Sequence, residues 1–159
     1  MSWEPPSAGE RRRILRAART IAVVGASSNP ARASNFVLTY LLSSSADYEV
    51  WPVTPNETKI LGVKAYPSLA DLPGAPDIVD VFRRTDQLPG VAREAVAAGA
   101  KTFWMQLGLH SDEAVEVAHS AGLSVVSNRC LKIEHARFHG GLHLAGFDTG
   151  VISSRRARG

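Results

Sequence analysis

Gly25, Ser27, Ser28 and Arg32 share one short loop, Gly25-Ala26-Ser27-Ser28-Asn29-Pro30-Ala31-Arg32. A glycine turn, two hydroxyls, a run of backbone N–H groups and a cation form a set that grips phosphate oxygens. Such a loop must be held in place, and its flanks show how. The preceding Thr20-Ile-Ala-Val-Val24 is mostly β-branched and apolar, which reads as a strand buried on both faces. The following Phe36-Val-Leu-Thr-Tyr-Leu-Leu42 carries apolar residues at helical spacing. Strand, glycine turn and helix start make the first half of a βαβ unit, whose helix N-terminus favours an anion.

A dinucleotide fingerprint needs three glycines in this loop and an acidic residue closing the second strand. Only Gly25 is present, and the second strand, over Tyr48–Val53, ends on Val53-Thr54. An NAD(P)-binding domain is therefore an alternative rather than the leading reading. An ordinary strand-to-helix turn with no ligand is the other.

The remaining elements follow from the pattern. Residues 1–8, polar and containing proline, are expected as a loose arm, and 9–18 as an amphipathic helix bearing Ile14, Leu15, Ala17 and Ala18 among arginines. Ser34 is expected to cap a helix over about 34–44. Pro52 inside the second strand implies irregular pairing or a place near its end. Ile60–Tyr66 suits a short third strand, and Ser68-Leu-Ala-Asp71 a capping box opening a brief helical turn. Asp77–Phe82, Lys101–Met105 and Leu123–Val126 are the fourth, fifth and sixth strands. A helix over about 86–98 ends at Gly99, and another runs from its cap Ser111 to Gly122. This alternation predicts an α/β, three-layer Rossmann-like fold, with a mostly parallel sheet and helices on both faces. The chain, 1–159, is expected to be a single domain with an irregular tail over 140–159.

Composition narrows the function classes. The net charge of +3 comes largely from the two ends: Arg11, Arg12, Arg13, Arg16 and Arg19 cluster early, and Arg155, Arg156 and Arg158 sit in the tail. No basic face interleaved with aromatics accompanies them, so no nucleic-acid partner is expected. A single cysteine, Cys130, rules out an intrachain disulfide and gives an oxidising compartment no support. No apolar run is long enough to span a bilayer, and the start lacks the long apolar core of a signal peptide. The expectation is a cytoplasmic protein with no membrane partner.

Ligands of an open α/β sheet sit outside the carboxyl ends of the strands. The segments Gly25–Arg32, Thr54–Lys59, Phe82–Arg84, Gln106–Gly108 and Ser127–Cys130 are therefore read together. They bring cations and hydroxyls but no convincing acid–base couple. Glu57 and Asp86 read as a loop charge and a helix-start residue. No catalytic residue is assigned, and the site looks built to hold an anion rather than transform it. His135, His139 and His143 have helical spacing with Cys130 upstream, but Gly140-Gly141 interrupts that helix, so no metal site is assigned.

An ordered series of motifs adds a family. Gly25-Ala-Ser-x-x-Pro-x-Arg32, Val53-Thr-Pro55, Leu61-Gly62, Tyr66-Pro-Ser-Leu69, Asp80-Val-Phe-Arg-Arg84, Gly99-Ala-Lys101, Trp104-Met-Gln-Leu-Gly108 and Asn128-Arg-Cys-Leu-Lys-Ile-Glu-His135 together resemble the stand-alone CoA-binding proteins. These are similar to the N-terminal domain of the succinyl-CoA synthetase α subunit. The likeness runs over about 20–138. It implies a domain that binds CoA or acyl-CoA across the strand ends without catalysis of its own.

By that resemblance, Gly25, Ala26, Ser27, Ser28, Asn29 and Arg32, with Ser34 at the helix start, contact the nucleotide and its phosphates together with Thr54 and Pro55. Lys59 adds a cation from the same loop. Phe82, Arg83 and Arg84 lie near the adenine and ribose phosphate, and Gln106 and Gly108 beside the pantetheine arm. Thr54 stands where the stand-alone family usually has asparagine, as it does in the synthetase. Cys130, flanked by Arg129 and Lys132, is either a packed small side chain or a thiol that exchanges with CoA disulfide. The synthetase carries its phosphorylated histidine in a second domain that has no counterpart in this sequence. A subunit or remnant of an acyl-CoA synthetase-type enzyme that needs a partner is thus the alternative function, and a homo-oligomer is another assembly to test.

Overall fold

A computed structural model describes residues 2–43 and 47–139, leaving aside the side chain of His139. In chain order the elements are α1 (Ala8–Ala17), β1 (Thr20–Val24), α2 (Ala33–Ser43), β2 (Glu49–Val53), β3 (Lys59–Ile60) and β4 (Val63–Lys64). After these come β5 (Ile78–Val81), α3 (Leu88–Ala97), β6 (Thr102–Met105), α4 (Asp112–Ser120), β7 (Ser124–Val126) and α5 (Leu131–His139). Short 3-10 turns at Leu69–Asp71 and Thr85–Gln87 precede β5 and α3.

The main sheet has five parallel strands in the order β2-β1-β5-β6-β7. The chain runs outward from β1 to β2 and then returns to the other side of β1 with β5. Strand order therefore reverses between β1 and β5, the switch point where open α/β sheets open a crevice. Parallel register places Val24 beside both Val53 and Val81, so these strands end level with one another.

Both faces of the sheet are covered, which is why its strands read as continuous apolar runs rather than alternating ones. Ala22, Val24, Val79, Val81, Phe103 and Met105 pack on the side of α3 and α4. Ile21, Val23, Ile78, Trp104 and Val126 pack on the opposite side with Leu15, Val37, Leu38 and Leu131 of α1, α2 and α5. Fully burying side chains the size of Ile21, Ile78 and Phe103 stabilises the fold by about 1.5–3 kcal/mol each. Trp104 is buried among them, and its indole N–H donates to Arg129 O at 2.9 Å.

The expected three-layer Rossmann-like α/β fold is the one observed, with local departures. The third strand is instead a separate two-stranded antiparallel hairpin, β3-β4. Leu61 and Gly62, at φ +51° and +81°, make its two-residue turn, as the primed hairpin turns require. Tyr66 then forms one parallel bridge with Val53, extending the β2 edge. Pro52 fits because β2 is the last full strand on that side. Ser34 does not cap α2; it is the helix's second residue and is buried. The Ser68 hydroxyl donates to the Asp71 carboxylate at 2.7 Å rather than accepting from a turn amide. Ser111 caps α4 as expected, accepting from Ala114 N at 3.1 Å.

The segment expected as a loose arm makes defined contacts. Trp3 Nε1 donates to Val125 O at 3.2 Å, and Ser7 caps α1 in a reciprocal box with Glu10. The tail over 140–159 lies outside the described residues. Helix α5, which the strand-and-helix pattern did not single out, returns across the sheet to α1. There Arg11 Nε donates to Glu134 Oε1 at 2.6 Å, both side chains buried.

Candidate functional site

The switch point is built on a close backbone approach. Gly25 sits at φ +87°, and a Cβ added there would stand 2.1 Å from the carbonyl oxygen of Phe82. Phe82 N in turn donates to Val24 O at 2.8 Å, and Gly25 N and Ala26 N both donate to Val53 O, at 3.0 and 3.2 Å. The glycine turn is thus clamped between the ends of β2 and β5, and only glycine fits there. The rest of the loop is shaped by its own polar residues. Ser27 Oγ accepts from Asn29 N at 3.0 Å, Asn29 Oδ1 from Ala31 N at 2.9 Å, and Asn29 O from Arg32 N at 3.0 Å. Buried Asn35 reaches back from α2 and donates through Nδ2 to Ser27 O at 3.0 Å.

A cavity of about 200 Å³ opens at this point. One wall is Gly25, Ala26, Ser27 and Arg32; a second is Thr54, Asn56 and Glu57; the third is Phe82 and Arg83. Thr54 is buried, and its hydroxyl accepts from Asn56 N at 3.2 Å, which turns the chain beneath the cavity. Among the described residues neither Arg32 nor Arg83 is engaged in an ion pair. Two uncommitted guanidinium groups and a set of loop hydroxyls suit a phosphorylated ligand.

Asn56 and Glu57, inside the Thr54–Lys59 segment but given no ligand role from sequence, also line the cavity. Glu57 reads as a loop charge, yet its Oε2 accepts from Ser28 N at 3.0 Å and it stands within the cavity wall. Hydrogen bonding from Ser28 holds the Glu57 carboxyl below its ordinary value. Glu57 thus faces the glycine loop rather than closing the second strand, where a dinucleotide site would carry its acid. The available signal was the reach of the loop after Val53, which the pairing of β1 with β2 sets beside the glycine turn.

The other expected site residues sit around or away from this cavity. Ser28, Asn29 and Pro55 are exposed on the two loops, outside its lining. Ser34 is buried in the first turn of α2, and Lys59 is exposed in the hairpin strand β3. Arg84 points outward and pairs with Asp86 at 3.3 Å, both largely solvated. Beyond β6, Gln106 is buried with Oε1 accepting from Leu131 N at 3.3 Å, so it braces the start of α5. Gly108 N donates to Asn128 Oδ1 at 2.6 Å, joining the loops that follow β6 and β7.

Two further constellations lie near these loops. His110 contacts the Ser127 hydroxyl through Nδ1 at 2.6 Å and Asp112 through Nε2 at 2.8 Å. The Asp112 side chain is 100% exposed, so water screens its field at the imidazole, and the string acts as a tie between loops. His135 is buried, with Nδ1 2.7 Å from the Tyr40 hydroxyl and its ring edge-on to Tyr40 and Tyr48. His143 lies outside the described residues, and no group of three potential metal ligands occurs among those described. Cys130 is half-buried against the α1-α2-α5 apolar cluster.

A parallel sheet with a clamped glycine turn and paired arginines at its switch point defines a Rossmann-like nucleotide-binding domain. Comparison with known proteins gives the ligand class: the family model for the CoA binding domain matches residues 19–136, and this chain belongs to that family. An uncharacterized protein of Bacillus subtilis (strain 168), YneT, is 44% identical over 131 residues, covering 82% of this chain and 96% of YneT. The structure of a hypothetical protein from Pyrococcus horikoshii OT3 superposes with a TM-score of 0.81 at 37% identity, over 88% of this chain and 99% of that one. The apo dinucleotide-forming acetyl-coenzyme A synthetase 1 of Candidatus Korarchaeum cryptofilum gives a TM-score of 0.64 at 29% identity, over 72% of this chain but 26% of the synthetase. The chain thus corresponds to a CoA-binding domain that also occurs as one part of larger acyl-CoA synthetases. Among the described residues no helix is long and apolar enough to cross a membrane.

Proposed function

We propose that this protein is a CoA or acyl-CoA binding module that holds the nucleotide at the carboxyl ends of β1, β2 and β5. The observation that carries the reading is the cavity at the switch point, lined by Gly25 together with Arg32 and Arg83. In this reading the Gly25–Arg32 loop and Thr54-Pro55 take the diphosphate, and Phe82 with Arg83 and Arg84 takes the adenosine and its ribose phosphate. The pantetheine arm runs past the loop after β6, by Gln106 and Gly108. No side chain in the cavity pairs a nucleophile with a base, which supports holding rather than transforming the ligand. Calorimetric titration with CoA and with NAD tests the reading: CoA binds, and NAD does not.

The match to about a quarter of a much longer synthetase favours a second reading, in which a partner protein supplies the remaining catalytic parts. In either case the reading makes the whole chain one CoA-binding unit working in the cytoplasm. The lone Cys130 is consistent with a reducing compartment.

A further inference from the structure

The amides of the phosphate loop are almost all committed to neutral acceptors inside the protein. Gly25 N and Ala26 N go to Val53 O, Asn29 N to Ser27 Oγ, Ala31 N to Asn29 Oδ1, and Arg32 N to Asn29 O. Pro30 has no N–H to give. Ser28 N is different: it donates to a carboxylate, Glu57 Oε2, at 3.0 Å, from a residue 29 positions along the chain. Glu57 shares the cavity with Arg32 and Arg83, yet among the described residues it forms an ion pair with neither. A carboxylate beside two uncommitted arginines, bonded to a loop amide instead, occupies an anion position rather than neutralising the cations.

We infer that Glu57 is a resident counter-anion of the phosphate loop. It holds the Ser28 amide that a phosphate of the bound nucleotide takes over, so binding exchanges one anion for another. The inference rests on the CoA reading for the identity of the ligand, but the exchange itself concerns any phosphate in this cavity. Its physical content is a sign. A carboxylate that contacted the ligand's ribose hydroxyls would strengthen binding, and its loss would weaken the complex. A carboxylate that must leave, and then stands beside phosphates, opposes binding through like-charge repulsion. Its loss tightens the complex. Such an exchange sets a threshold: weakly charged anions cannot displace Glu57, whereas a pyrophosphate reinforced by Arg32 and Arg83 can.

The test uses the full chain, its Glu57→Gln and Glu57→Ala variants, and two probes, CoA and inorganic pyrophosphate, titrated at low and high salt. Both variants are expected to bind both probes roughly five- to fiftyfold more tightly than the parent at low salt. The advantage should shrink as salt screens the charge. Binding unchanged or weakened in both variants overturns the exchange; weakened binding makes Glu57 a ligand contact instead. If pyrophosphate tightens as expected while CoA binds no form of the protein, the exchange stands and the CoA reading falls. If neither probe binds any form, the exchange is overturned with it.

Discussion

Replacing Gly25 with alanine strikes the fold and the site through one atom. The residue sits at φ +87°, where an L side chain costs about 1–2 kcal/mol. The new Cβ would also meet Phe82 O at 2.1 Å and Phe82 C at 2.9 Å. Ordinary contact begins at 3.4 Å, so the glycine turn and the end of β5 must separate by about 1.3 Å. Both partners are backbone, and neither can rotate away. Forcing such a separation in a packed interior costs a further 1–3 kcal/mol, roughly, for a total of about 3 kcal/mol. Urea unfolding followed by circular dichroism reads this directly. With an m-value of about 2 kcal/mol/M, the midpoint falls by about 1.5 M. CoA affinity should fall more than about tenfold, since the two cavity walls part. Gly62→Ala is the control, because that residue has φ +81° but nothing within 4 Å of the added Cβ. It pays the conformational cost alone. If Gly25→Ala loses no more stability than Gly62→Ala, the close approach of Gly25 to Phe82 is not what shapes the site.

The other predictions concern charge. Arg32→Ala and Arg83→Ala should each weaken CoA binding by about 1.5–3 kcal/mol, the usual worth of a hydrogen bond to a charged group. Dephospho-CoA should be insensitive to whichever arginine reads the ribose phosphate, and CoA affinities equal to the parent's in both variants refute the phosphate assignment. Asp80 lies fully buried in β5, its carboxylate oxygens without a hydrogen-bond partner among the described residues, and burial pushes its carboxyl well above the ordinary range. A group whose folded value is raised keeps its proton in the native state, so its contribution is fully present in acid and is lost as pH rises. Stability should therefore fall by up to about 1.4 kcal/mol per pH unit above roughly pH 4, until Asp80 itself ionises. Asp80→Asn removes that slope in a pH series of urea unfolding, and an identical slope in parent and variant refutes the assignment.

Much of this architecture is legible in the sequence because the parallel strands are buried on both faces. Thr20–Val24 and Thr102–Met105 stand out as largely apolar runs that need no partner to be recognised, and Ile78–Val81 does so despite its Asp80. The Gly25 loop is equally plain, since its flanks change period from strand to helix. The hairpin β3-β4 was hidden because Ile60–Tyr66 is short and its Leu61-Gly62 turn reads as strand interior until both residues show positive φ. Helix α2 starts at Ala33, before the serine expected to cap it, because Asn29 and Asn35 already organise the chain's entry into the helix. Glu57 reads from sequence as a plain loop charge for a different reason. Its partner is Ser28, and only the pairing of β1 with β2 brings the two loops together. Asp80 was unreadable as a buried acid because, in a strand with no solvent face, alternation says nothing about which side chains are wet.

The central claim is that this cavity takes the nucleotide of CoA and not that of NAD. Calorimetric titration of one preparation of the full chain with CoA, and separately with NAD, tests it most directly. CoA should give saturable binding that weakens with added salt, because the proposed reading sets its phosphates against Arg32 and Arg83 of the cavity lining. NAD should give no saturable heat, because the loop offers one glycine where a dinucleotide needs three. NAD binding as tight as CoA, or tighter, contradicts the account.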